Sequence, residues 1–190
     1  DGVFYALHSD GSLKWSYETG GRIDSPAALT TDGTIYFGSA DGKLYALNPD
    51  GSEKWTLSLG KGLMAFVSPA LGWDGTVFVG TTGTSPLGSN QDQQVASYSF
   101  IAISPEGQVK WEYALPHWVR SSAAVVADGS IYFGCWDGNL YSLSPEGDLR
   151  WKIALGDVSV QQGIEASPAV GPDGTIYVGT WDGWFYAIGE

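Results

Sequence analysis

The sequence predicts an all-β protein, a β-propeller of four-stranded antiparallel blades. Three observations predict it: a unit that recurs about every 40 residues, two hairpin signatures inside each unit, and no helical period to compete with them. The first signature is carried by Asp41-Gly-Lys-Leu-Tyr-Ala-Leu-Asn-Pro-Asp-Gly-Ser-Glu-Lys-Trp55. It recurs at 1–15, at 137–151 and, without its leading Asp-Gly, at 97–111, and a further copy begins at Asp182. Its tryptophans, Trp15, Trp55, Trp111 and Trp151, are spaced 40, 56 and 40 residues apart. The second signature is Ser-Pro-Ala followed by Asp-Gly-Thr-Ile-Tyr-Phe-Gly, as at Ser25 and Asp32-Gly-Thr-Ile-Tyr-Phe-Gly38, with counterparts at Asp74, Asp128 and Asp173.

Each unit reads as four strands in order. Strand A surrounds Ser-Pro-Ala, B is the Thr-Ile-Tyr-Phe-Gly run, C the Leu-Tyr-Ala-Leu run, and D carries Lys-Trp. β-Branched and aromatic residues alternate along B and C, and the Asp-Gly pairs between them supply the positive φ that tight hairpins need. Repeats fall at approximately 1–40, 41–96, 97–136 and 137–181, with a partial one at 182–190 and a polar insertion at 81–97. The strand count gives five C strands against four each of A, B and D, so the expectation is about four blades plus an extra strand. Such a stretch fits part of a six- to eight-bladed ring, completed by further repeats of its own chain or by a second copy.

The net charge of −12 has a local origin. Ten Asp-Gly and two Glu-Gly pairs hold 12 of the 21 acidic residues, so the acidity is mostly turn chemistry. With 9 basic residues and no Lys/Arg cluster, nucleic-acid binding is excluded as a function class. No apolar run approaches the roughly 18 residues of a membrane span, so direct membrane insertion is not expected. Cys135 is the single cysteine and excludes an internal disulfide. Its alignment with Ser39, Thr81 and Thr180 predicts a buried packing role.

The combination Asp-Gly-x-Leu-Tyr-Ala-Leu-x-Pro-Asp-Gly-x-x-Lys-Trp, then Ser-Pro-Ala and Asp-Gly-Thr-Ile-Tyr-Val-Gly, resembles the PQQ-like (quinoprotein alcohol dehydrogenase-like) β-propeller repeat. The resemblance spans the chain outside the 81–97 insertion. It implies that strand A lines a central channel, that D is outermost, and that the D-strand tryptophan docks between blades. Relatives of this type include quinoprotein dehydrogenases, the propeller lipoprotein of the outer-membrane assembly machinery and extracellular sensor domains. By that analogy the location is periplasmic or at the cell surface.

Residues that follow the repeat are explained by packing, so Trp15, Trp55, Trp111 and Trp151 are assigned to structural docking. Residues that break it are the candidates for function. Loops D-to-A and B-to-C share one rim, and to that rim belong Trp118, Arg120, Trp136, Trp181, Glu165, His117, Phe66, Arg22 and the insertion. An aromatic patch with convergent polar groups suits a protein partner, a small ligand or a glycan. The expected function is a non-catalytic binding or scaffold module without cofactor. His8 and His117 sit in different turn types, so neither a histidine metal site nor a Ser-His-Asp triad is expected. Two alternatives remain open, a fragment of a PQQ-dependent quinoprotein oxidoreductase and a lectin-like sugar-binding propeller. The first would call for calcium-coordinating carboxylates and amides, a catalytic Asp and often a vicinal cysteine pair, and none of these is assignable here.

Overall fold

In the computed structural model, residues 1–60, 68–82, 98–155 and 163–189 are described. Three complete blades follow one another, each a four-stranded antiparallel meander. The first holds β3 (Ala28–Leu29), β4 (Ile35–Ser39), β5 (Lys43–Leu47) and β6 (Glu53–Ser58). The second holds β7 (Ala70–Leu71), β8 (Val77–Gly80), β9 (Tyr98–Ile103) and β10 (Val109–Leu115). The third holds β11 (Ala124–Val125), β12 (Ile131–Gly134), β13 (Asn139–Leu143) and β14 (Leu149–Ala154). Before them β1 (Val3–Leu7) and β2 (Leu13–Glu18) form a C–D pair, and after them β15 (Ala169–Val170), β16 (Ile176–Gly179) and β17 (Phe185–Ile188) form an A–B–C sheet. The architecture is a partial β-propeller, all-β among the described residues.

The core lies between blades. Strands β4, β5, β8 and β9 are buried almost throughout, because each blade packs a neighbour on either face. Aromatic stacks cross the seams: Phe4 on Phe37 at 4.4 Å and Phe100 on Phe133 at 4.0 Å, both nearly parallel. Outer strands such as β6 alternate exposed and half-buried residues, as a one-sided surface strand should. The short A strands converge, β7 against β11, which places them innermost.

Aspartates write the turns. Asp32, Asp74 and Asp128 each accept the backbone N–H two residues on, closing the A–B turns. Asp41 and Asp137 do the same in the B–C turns and also accept the hydroxyls of Tyr45 and Tyr141, at 2.5 and 2.6 Å.

The Lys-Trp dipeptide of strand D is read through a β-bulge. The register skips one residue there, so that Ala46 faces Trp55 while Leu47 faces Glu53, and Lys54 is the extra residue. The same slip isolates Lys14, Lys110 and Arg150. A bulge re-aims its side chain. Lys110 and Arg150 turn back to the A–B aspartates of their own blades, Asp74 at 3.1 Å and Asp128 at 3.3 Å. The neighbouring tryptophan turns forward: Trp15, Trp55 and Trp111 donate to the carbonyls of Pro49, Pro105 and Pro145 in the next blade's C–D turn, at 3.1, 2.8 and 2.8 Å. Gly147 lies flat under the Trp111 ring at φ 91°, where a Cβ would come within 2.6 Å of the indole. Trp151 keeps the contact to its own B strand that Trp55 and Trp111 also make, meeting Tyr132 at 5.7 Å.

Candidate functional site

The D-to-A loops thread between successive B-to-C corners. Val119 N–H donates to the Thr81 carbonyl of its own blade, and Trp136 N–H in the next corner donates to the Trp118 carbonyl. This weave carries Trp118, from a D-to-A loop, and Trp136 and Trp181, from successive B-to-C corners, to one place. Trp118 and Trp136 meet edge to face at 5.4 Å, and Trp136 and Trp181 lie 6.3 Å apart. His117 stacks between Tyr98 and Trp136, at 5.6 and 5.9 Å, and accepts the Trp118 N–H on Nδ1 at 3.0 Å. Burial holds the His117 pKa below its ordinary value against the pull of Asp137.

Glu165 is the hub. One oxygen, Oε1, accepts from Arg120 at 2.8 Å and from the Trp136 indole at 2.9 Å, and Oε2 accepts from Trp181 at 2.7 Å. Burial works to raise its pKa, but the donors Trp181, Arg120 and Trp136 outweigh burial and hold the carboxyl below its usual range. The Arg120 guanidinium also lies 4.7 Å over the Trp118 ring and 5.7 Å from that of Trp136. Counted back from the A strands, Arg120 and Glu165 occupy the same place in consecutive repeats, so the ion pair joins two copies of one position through opposite charge.

The cluster is not uniformly exposed. Trp118 and Trp136 are half-buried under their neighbours. Trp181 is 60% exposed, and its N–H is anchored while its ring faces out. Arg22 lies elsewhere on this rim, paired with Asp24 at 2.7 Å two repeats before the cluster. Phe66 and insertion residues 83–97 lie outside the described residues. Cys135 is fully buried beneath the cluster, its Sγ 3.4 Å from the His117 carbonyl, and burial pushes the thiol pKa far up.

Two aromatic residues escaped the sequence reading. Tyr98, which completes the His117 stack, stands where the third blade has Gly138. Trp73, 83% exposed, lies on the opposite rim where sister repeats place Thr31, Ala127 and Pro172. Alignment of the repeats position by position carries the signal for both.

The PQQ-like repeat implies a quinone cofactor in the enzymes that carry it, and the donor set decides whether one fits here. The inner strands carry only Ala, Leu and Val. Among the described residues no three His, Cys, Asp or Glu side chains gather where they could hold a cation. These residues do not fit a calcium–quinone site.

Repeated four-stranded blades, inner strands converging on an axis and tryptophans locked into the next blade's turn define a β-propeller of the PQQ-like repeat type. The whole chain, residues 1–190, matches the family described as outer membrane protein assembly factor BamB, and it belongs to that family. Among solved structures it is similar to BamB from Moraxella catarrhalis, at TM-score 0.74 and 20% identity over 98% of this chain and 52% of that one. It is also similar to the quinohemoprotein alcohol dehydrogenases ADHIIG of Pseudomonas putida HK5, at 0.75 and 16% over 98% and 37%, and that of Comamonas testosteroni, at 0.73 and 15% over 98% and 38%. The chain thus spans about half the length of the Moraxella protein. No curated protein sequence matches it.

Proposed function

We propose that this protein is a non-catalytic propeller scaffold that holds a protein partner on the rim bearing Trp118, Trp136 and Trp181. The observation that carries the reading is Trp181: an exposed indole whose N–H is tied to Glu165, itself held by Arg120 and Trp136. A plate fixed in this way loses little side-chain entropy when a partner covers it, which is how aromatic anchors concentrate binding energy. Tyr98, His117 and Arg120 form the polar and aromatic surround. Membership in a family named for outer-membrane assembly supports the scaffold reading and accords with a periplasmic or cell-surface location. Further repeats of the same chain, or a second copy, would complete a six- to eight-bladed ring around the three described blades.

The likeness to quinohemoprotein alcohol dehydrogenases supports a second reading, oxidation of an alcohol. The inner strands, built of Ala, Leu and Val, offer no ligands for it. One experiment separates the two. A photo-crosslinking residue at position 181 should give discrete protein adducts in cells, and the same residue at Lys152 on the outer strand β14 should not. Calorimetry with pyrroloquinoline quinone and calcium should be flat. Micromolar quinone binding, or adducts that ignore position, would return the enzyme reading; retention on a glycan array through Trp181 would point to sugar stacking instead.

A further inference from the structure

Trp73 has no part in the loop-rim cluster. It sits in the turn from β7 to β8, on the rim made by the A–B and C–D turns, and no intrablade role accounts for an indole where its sisters are Thr31, Ala127 and Pro172. Its 83% exposure is the greatest of any large apolar side chain among the described residues.

Two grooves run together around it. One, of about 550 Å³, is lined by Leu29, Leu71 and Tyr36, with Leu29 itself 64% exposed. The other, of about 280 Å³, is lined by Phe78, Ala127 and Pro145. They share Gly72, Trp73, Asp74 and Val125, so the indole stands in one continuous depression along two blade seams. The floor is apolar and the margins are acidic: Asp32 and Asp74 edge the first groove, Asp74 and Asp128 the second. The cations at these margins are committed. Lys110 is shared by Asp74 and Thr76 at 3.1 and 2.8 Å, Lys54 reaches Thr34 at 3.1 Å with Asp32 at 3.9 Å, and Arg150 meets Asp128 at 3.3 Å. The C–D turns of the same rim add the exposed carboxylates Asp50, Glu106 and Glu146, of which Asp50 feels the charge of Lys14. A negative field therefore lies over an apolar trough with a bare π-face in its middle.

We infer that Trp73 and the grooves beside it form a second binding site, on the rim opposite the Glu165 cluster, for an extended basic peptide segment. Apolar side chains of the segment enter the seam grooves, and a Lys or Arg lies on the indole within reach of Asp32 or Asp74. A cation over a tryptophan face is the strongest of the cation–π pairs, and the surrounding carboxylates steer it there. Nucleic acid and acidic peptides are repelled by the same field. This site stands independently of the loop-rim scaffold reading, since it shares no residue with it.

The test uses a short fluorescein-labelled peptide rich in lysine and leucine, with glutamate–leucine and serine–leucine counterparts, read by fluorescence anisotropy. The lysine–leucine peptide should bind at micromolar concentration and weaken with added salt. Trp73→Thr, which installs the residue of a sister repeat, should weaken it tenfold or more, Trp73→Phe should retain most of it, and Trp181→Ala on the other rim should leave it unchanged. Equal binding by Trp73→Thr and the parent protein would reduce the effect to diffuse attraction by an acidic chain and overturn the site. Equally tight binding of the serine–leucine peptide would overturn the assignment of a basic ligand.

Discussion

Replacing Gly147 by alanine separates the two demands that the inter-blade lock makes on one residue. Gly147 adopts φ 91°, a conformation costing an L-residue about 1–2 kcal/mol. Its missing Cβ also leaves room for the Trp111 indole, three atoms of which would fall between 2.6 and 3.0 Å from an added methyl. That indole cannot withdraw freely, because its N–H is bonded to the Pro145 carbonyl at 2.8 Å and its ring is wedged against Phe78 and Phe100. Overpacking of this kind costs about 1–3 kcal/mol, so Gly147→Ala should destabilise the protein by about 2–5 kcal/mol. Gly11 provides the control within the same molecule. It holds the same place in the repeat at φ 85°, with nothing within 4 Å of its would-be Cβ, and Gly11→Ala should cost only about 1–2 kcal/mol. Trp111→Ala alone should cost about 3–5 kcal/mol. In that background the steric part vanishes, so Gly147→Ala should cost only about 1–2 kcal/mol more, a coupling of about 1–3 kcal/mol. Equilibrium urea unfolding followed by far-UV circular dichroism reads all four variants. Equal costs at Gly11 and Gly147, or simple additivity with Trp111→Ala, would refute a lock built on contact between glycine and indole.

Three other outcomes are expected. Glu165 has a folded pKa held below its ordinary value, so its pairing stabilises the fold above the unfolded pKa and is lost as pH falls through the folded one; stability measured from pH 7 down to about pH 3 should decline less steeply in Glu165→Gln than in the parent. Cys135, buried and with its thiol pKa pushed up, should stay unmodified by a thiol reagent until denaturant is added, and rapid labelling of the native protein would contradict its placement beneath the cluster. On their own, residues 1–190 leave β17 paired only with β16 and expose Phe185 in it and Trp184 just before it, at 71% and 66%, so light scattering of this stretch at micromolar concentration should find dimers or larger species; a clean monomer would show that this edge is not adhesive.

The sequence by itself determined the strands, their order and the turns that join them, because those are local matters. An Asp-Gly pair closes its own turn with a side-chain acceptor two residues away and a positive φ, and neither depends on what lies across the molecule. Repetition of that chemistry with tryptophans 40 residues apart was enough for the propeller class. Only the tertiary structure decided what each copy of a repeated residue meets. The dipeptide Lys110-Trp111 reads as two neighbours, yet a bulge sends Lys110 back to Asp74 and Trp111 forward to Pro145. The cluster shows the same division. Repeat breaking singled out Trp118, Trp136 and Trp181, but that Glu165 would bind Trp136, Trp181 and Arg120, burying two indoles by half and leaving the third outside, depends on the rotation from one blade to the next. That rotation is set by stacks such as Phe100 on Phe133, between residues 33 positions apart, and no local pattern encodes it. Trp73 was visible as a departure from its sister repeats, but an exposed indole between two seam grooves exists only where three blades are already packed side by side.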